Sequence, residues 1–260
     1  MHNLEITNWL NTQQGGYIRQ WVETSASQLT ADVFGYHALQ IGSPEFDLLS
    51  ACRIPLKQKL ATYCSYASSG TENIHVGVCG DPCHLPFASN SVDLVVLPYV
   101  LEYSHNPHQV LREVERILIP EGRLLLIAFN PFSLWGVARA IRRRKTYPWN
   151  GHFFTILRLK DWFKLLGLEA ERGLFGCFAP PCRSEKWLRR FAFLEHAGER
   201  WWTIAGAVYC LRAVKRLRGM HLVGPAWREL QKTTVLPAAT REARKVSSLA
   251  ETLLRREESA

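Results

Sequence analysis

No run of apolar residues in this chain reaches the roughly 18 to 20 that a membrane-crossing helix needs. The opening segment, MHNLEITNWLNTQQGG, has neither the basic start nor the apolar stretch of a secretory signal. The seven cysteines are odd in number and scattered, which excludes the disulfide framework of small secreted domains and fits reduced thiols. Cys79 and Cys83 beside His84, and Cys177 with Cys182, lack Cys-x-x-Cys spacing, so no metal site is expected. There are no internal repeats, and no signature of an RRM, KH or zinc-finger module. The expectation from these features is a soluble, cytoplasmic chain.

What is present fits one α/β domain with an appendage. The chain has 260 residues, 47% of them apolar, enough for a sizeable core. Its net charge of +9 is unevenly spread. Residues 1–130 hold 7 Lys/Arg against 12 Asp/Glu, a balance of −5; residues 131–260 hold 25 against 11, a balance of +14. Seven of the nine Trp also follow residue 130. A basic, aromatic-rich half predicts an anionic surface as partner, a membrane ahead of nucleic acid.

The most informative stretch is VDLVVLPYVLEYSHNPHQVLREVERILIPEGRLLLIAFNP, Val92 to Pro131. Val92–Leu97 is a short β-branched run, as in a strand covered on both faces. Asn106 and Pro107 predict a helix start, with an Asn N-cap and Pro at the first position. Val110, Leu111, Val114, Ile117 and Leu118 recur on one helical face, while Arg112, Glu113, Glu115 and Arg116 fall elsewhere. Pro120-Glu121-Gly122 breaks the helix, and Leu124–Phe129 reads as a second buried strand. The unit is β-α-β. Around it, residues 15–34 predict a helix with Tyr17, Ile18, Trp21, Val22 and Leu29 inward. His37–Gly42 and Ile74–Cys79 read as strands, and Ala207–Val214 as the last one. Ser133 predicts a helix cap before a stripe of Leu134, Val137, Ala138 and Ile141. Leu159–Leu168 predicts another helix, closed at Gly167, and a further one is expected near Trp187–Trp201. From about residue 231 the sequence is a charged tail.

These motifs resemble the class I, Rossmann-like S-adenosylmethionine-dependent methyltransferases. Asp81-Pro82-Cys83-His84-Leu85-Pro86-Phe87, Ser91-Val92-Asp93, Val100-Leu101-Glu102 and Leu111 to Arg123 match that family's blocks in order and spacing. The resemblance implies a doubly wound, mostly parallel sheet with helices on both faces and an antiparallel last strand. The resemblance covers roughly residues 30–215, and the domain is expected over residues 1–230, including the N-terminal helix and a basic insertion near 131–155. It further implies S-adenosyl-L-methionine as cofactor, bound at the carboxyl ends of the first strands. Asp81 then accepts from the adenine amino group, with Pro82 and Leu85 flanking the ring, and Leu97 and Pro98 line the methionine side. Asp before Pro also caps turns, so a purely local role for Asp81 stays open.

Two departures stand out. The family's glycine-rich first loop, roughly D-x-G-x-G-x-G, is here Gln40-Ile41-Gly42-Ser43-Pro44-Glu45-Phe46, with only Gly42 kept and Gln40 in place of the acid. The family's acid after strand two, which binds the ribose hydroxyls, also has no counterpart, because residues 48–71 contain no Asp or Glu. For acid–base chemistry the candidate is His105, within the cluster Tyr99, Glu102, Tyr103, His105 and His108; a capping turn explains the same residues. The basic segment Arg139 to Lys145 suits peripheral contact with an anionic membrane, or else a solvated helix face. The expected function is methyl transfer to a small or amphipathic molecule. A methyltransferase-like binding protein that has lost efficient catalysis, and an RNA methyltransferase, are the alternatives.

Overall fold

The computed structural model describes residues 9–44, 46–62, 78–142, 148–181 and 202–216, together with 190, 191, 195, 198 and 200. The chain forms two units, Met1–Arg218 and Gly219–Ala260. The second lies outside the described residues, and with it the expected tail. Most of the expected helix near Trp187–Trp201 and most of strand Ile74–Cys79 fall outside them too.

In chain order the elements are α1 (Gln13–Thr30), β1 (His37–Ile41), β2 (Leu56–Ala61), β3 (Val78–Cys79), β4 (Val92–Pro98), α2 (Val100–Tyr103), α3 (Pro107–Ile117), β5 (Leu118–Phe129), α4 (Leu134–Arg142), α5 (Ile156–Leu165), β6 (Leu168–Gly176) and β7 (Val208–Lys215). One seven-stranded sheet runs β3-β2-β1-β4-β5-β7-β6. Pairings from β3 through β5 are parallel, while β7 is antiparallel to both β5 and β6. This is the expected doubly wound sheet with an antiparallel last strand.

The sheet buries both faces. One core joins Ile18, Val22 and Leu29 of α1 with Leu94 and Val96 of β4 and Trp135 of α4. The other joins Val110, Leu111, Val114 and Ile117 of α3 with Val95 and Leu97 of β4 and Leu159 and Phe163 of α5. Alternate residues of β4 point to opposite cores, so its run is apolar throughout rather than alternating.

Local chemistry explains the element ends. Asn106 accepts the Gln109 N–H at 3.2 Å, and Pro107 follows at the first helical position. Ser133 Oγ accepts the Gly136 N–H at 3.1 Å and so caps α4. Thr155 caps α5, which starts three residues earlier than Leu159, and Gly167 turns the chain after it with φ +72°. β5 starts at Leu118, directly after α3, rather than at Leu124; Leu118 pairs with Val92 before the register shifts across Pro120–Gly122, where Glu121 has φ 63°.

Two strands have weak sequence signals. LKQKLA of β2 and LEAERGLFG of β6 carry polar residues because their outer positions meet solvent. Helix α4 turns most of its expected apolar stripe outward. Trp135 is its buried anchor, whereas Leu134, Val137 and Ile141 are exposed.

Candidate functional site

The carboxyl ends of β1, β2 and β4 surround a cavity of about 220 Å³. It opens where the strand order reverses between β1 and β4. Gly42, Ser43, Thr62, Asp81, Pro82, Cys83, Pro98, Tyr99 and Val100 line it, with Tyr103 to Asn106 across the mouth. Of the residues expected from sequence, Gly42, Asp81, Pro82, Pro98 and His105 come together here. Gln40, Leu85 and Leu97 do not line it: Leu85 and Leu97 sit in the core beneath.

Three residues at the rim adopt left-handed backbone: Gly42 at φ 78°, Ser43 at 40° and Tyr99 at 57°. For Ser43 and Tyr99 this conformation costs roughly 1–3 kcal/mol each, a burden that clusters at functional sites. A side chain at Gly42 would meet Val100 Cγ2 at 2.9 Å. The Gly42 N–H donates to Leu60 O at 2.8 Å and Tyr99 N–H to Ile127 O at 2.9 Å, so both loops are fixed by the strands.

Gln40 acts beneath the loop. Its buried amide donates to Ser43 O at 3.0 Å and Phe46 O at 3.1 Å, which fastens Gly42–Phe46 down on the sheet. Asp81 lies at the opposite wall. Its Oδ1 accepts the Cys83 N–H at 2.9 Å, and Oδ2 is 3.6 Å from His84 Nδ1. The Cys83 hydrogen bond holds the Asp81 carboxyl below the usual value and keeps it ionised. Burial pushes the Cys83 thiol up, so it is a neutral lining group rather than a thiolate.

The Asp81–Phe87 loop is clamped from α3. Glu113 accepts the Leu85 N–H at 3.1 Å and an Arg116 N–H at 2.8 Å. Arg116 in turn donates to Phe87 O at 2.9 Å and Leu85 O at 3.0 Å. Asp93 performs a parallel task, since its Oδ2 accepts the N–H groups of Tyr36 and His37, both at 2.9 Å, just before β1. The polar residues of the sequence motif thus hold loops around the cavity.

Tyr103 is held at the mouth by donating to Pro148 O at 3.1 Å. His105 lies beside it, exposed. Below, Glu102 is fully buried and accepts the Phe129 N–H at 2.5 Å. Burial drives its carboxyl well above the usual value, against the pull of that N–H and of Arg139. No group of His, Cys, Asp and Glu suited to a metal ion occurs among the described residues.

Residues 49–126 match the family model described as a methyltransferase domain. YafS of Escherichia coli K12, an uncharacterised protein, is 32% identical over 163 residues, 62% of this chain and 64% of YafS. Malonyl-[acyl-carrier protein] O-methyltransferase of Methylovorus sp. is 29% identical over 93 residues, 36% of this chain and 31% of that protein. Among solved structures, a SAM-dependent methyltransferase of Thermotoga maritima superposes with a TM-score of 0.58 at 18% identity, over 81% of this chain and 94% of that one. That last likeness is one of fold.

The chain carries a match to a methyltransferase domain over residues 49–126, on the fold of the class I methyltransferases.

It spans less than two thirds of the length of the curated relatives it matches. Within this methyltransferase domain the family's acid after strand two has Thr62 in its place, the residue that follows β2 and lines the cavity. Sequence reading missed Thr62 because β2 itself has a weak signal. Ser43, Ser104 and Asn106 were also missed as lining residues; their polar character and turn positions were the available clues. Phe46, where the family's loop has glycine, is buried and packs 6.2 Å from the Tyr99 ring.

Proposed function

We propose that this chain is a cytoplasmic S-adenosylmethionine-dependent methyltransferase that acts on a small or amphipathic acceptor. The position of the cavity carries the reading: it lies at the carboxyl ends of the strands where the sheet order reverses, the crevice that binds ligands in open α/β sheets. The lining also fits the cofactor chemically. Asp81 offers an ionised carboxylate to an amino group, Thr62 offers a hydroxyl toward the ribose, and the Tyr99 and Tyr103 rings favour a cationic sulfur. Pro82 adds an apolar wall.

The cofactor supplies a methyl group already activated for in-line displacement. The chain's own work is then to position the reactants and exclude water. Gln40 fixes the first loop, and Glu113 with Arg116 fixes the second. Tyr103 and His105 stand at the mouth where an acceptor enters, and His105 is the candidate to take its proton. Malonyl-[acyl-carrier protein] is the acceptor named for one relative; for this chain the proposal is the broader class, methylated on oxygen, nitrogen or carbon.

A binding or scaffold protein that has lost efficient cofactor binding is the competing reading, favoured by the buried Phe46 in place of a loop glycine. A melting-temperature titration separates the two. Ligand at one hundred times its dissociation constant stabilises the folded state by about 2.7 kcal/mol, so S-adenosylmethionine should raise the melting temperature in a saturable way. No shift at millimolar cofactor would favour the binding protein.

A further inference from the structure

The apolar stripe of α4 faces away from the domain, and its surroundings say what covers it. Trp135 anchors the helix from inside: its indole donates to Ala179 O at 2.9 Å, and its ring stacks on Trp149 with centroids 5.6 Å apart. Arg139 reinforces that anchorage by donating to Trp149 O at 3.0 Å and lying 4.8 Å over the Phe153 ring. At about 100° per residue, Leu134, Val137 and Ile141 then share an outward arc of about 60°. They are 51%, 53% and 77% exposed, and Phe132, just before the helix, is 69% exposed.

The patch extends across the end of the sheet. Asn130 donates to Ile204 O at 2.6 Å and Gly206 O at 3.0 Å, and accepts the Phe132 N–H at 3.1 Å. Ile204, 66% exposed, is thereby tied to the Asn130–Phe132 loop, and Trp202, 64% exposed, adjoins it by accepting the Ala205 N–H at 2.7 Å. Large apolar side chains concentrated on one surface mark an interaction site. This one lies at the cavity's end of the molecule. Tyr103 bonds Pro148, next to the Trp149 that holds α4, and Tyr99 stacks on Phe129 at 4.8 Å, at the end of β5.

Charge selects the partner. Residues 122–160 contain no Asp or Glu, but eight Lys or Arg: Arg123, Arg139, Arg142, Arg143, Arg144, Lys145, Arg158 and Lys160. Four of the eight follow Ile141 directly in the sequence. An exposed apolar stripe continuous with a basic run is the pattern of a helix that lies in the interface of an anionic membrane.

We infer that Phe132, Leu134, Val137 and Ile141, with Trp202 and Ile204, form a docking face for an anionic bilayer, seated at the end of the domain where the acceptor enters. The inference deepens the proposed function and rests on it only for what enters the cavity. No helix among the described residues is long and apolar enough to cross the membrane, so contact is peripheral.

Flotation of the full chain with phosphatidylcholine vesicles, with and without phosphatidylserine, tests it. Binding should require phosphatidylserine and weaken with salt. The variant Val137→Ser/Ile141→Ser should bind about tenfold more weakly or worse. Arg142→Ala/Arg143→Ala/Arg144→Ala should lose about fivefold per basic residue near the surface. Both variants should keep the wild-type melting temperature and cofactor affinity, which shows that docking alone was lost. Absence of binding at low salt would overturn the inference, as would equal binding to neutral vesicles. So would binding to structured RNA in place of vesicles, or a dimer that the apolar variant dissociates. Cofactor calorimetry on the same samples reads the methyltransferase proposal separately, so failure of either is recognised.

Discussion

Glu102 stands directly under the candidate site, with one oxygen on the Phe129 N–H and Arg139 and Tyr209 facing it. Burial raises its carboxyl, so the folded state retains this proton to higher pH than the unfolded chain does. The associated stability is present below the ordinary value of 4.5 and is lost as pH rises through the folded value. Glu102→Gln keeps the shape and removes the titration. Melting curves should therefore show the variant gaining on the wild type as pH rises above 4.5, with the two converging below it. A constant offset at every pH would show that Glu102 carries no such burden. At this scale the site was half legible. Gly42, Asp81, Pro82 and Pro98 could be read because they sit in ordered motifs. Thr62 could not, since a hydroxyl after a polar strand resembles any loop residue. Gln40 lies beneath the cavity, with its amide N–H groups on the carbonyls of its own loop.

Between elements, the Glu113–Arg116 pair on α3 is the main link from scaffold to site. Its five hydrogen bonds to Leu85, Phe87 and each other hold the loop that follows Asp81. Hydrogen bonds involving charged groups contribute about 1.5–3 kcal/mol where sheltered, and less for an Arg116 that is partly exposed. Arg116→Ala should lower the melting temperature and weaken cofactor binding together, although Arg116 lines no part of the cavity. Unchanged affinity in a folded variant would show that the loop needs no clamp. The central β-α-β unit was legible because helix period, cap and breaker all agree over Val92–Phe129. β2 and β6 were obscured by solvent-facing polar positions, and β5 begins earlier because pairing with Val92 resumes before Pro120–Gly122. On α4 the stripe was legible, but packing decides which face is buried: one Trp, stacked on two aromatic neighbours, outweighs three smaller apolar residues.

For the molecule as a whole, the sheet gives two cores, and the site opens at one end, across the switch between β1 and β4. The charge asymmetry runs along the sequence, with residues 122–160 free of Asp and Glu. The central claim is that the altered first loop still leaves a cofactor site built on Asp81. Isothermal calorimetry of S-adenosylmethionine with wild type, Asp81→Asn and Asp81→Ala tests it directly. Asn keeps an acceptor for the Cys83 N–H while removing the charge, so turn and ligand roles separate. The account predicts saturable binding to the wild type and a loss of about 1–3 kcal/mol in both variants, from removal of a charge-assisted hydrogen bond. No heat with the wild type, or equal affinity in all three proteins, would contradict it.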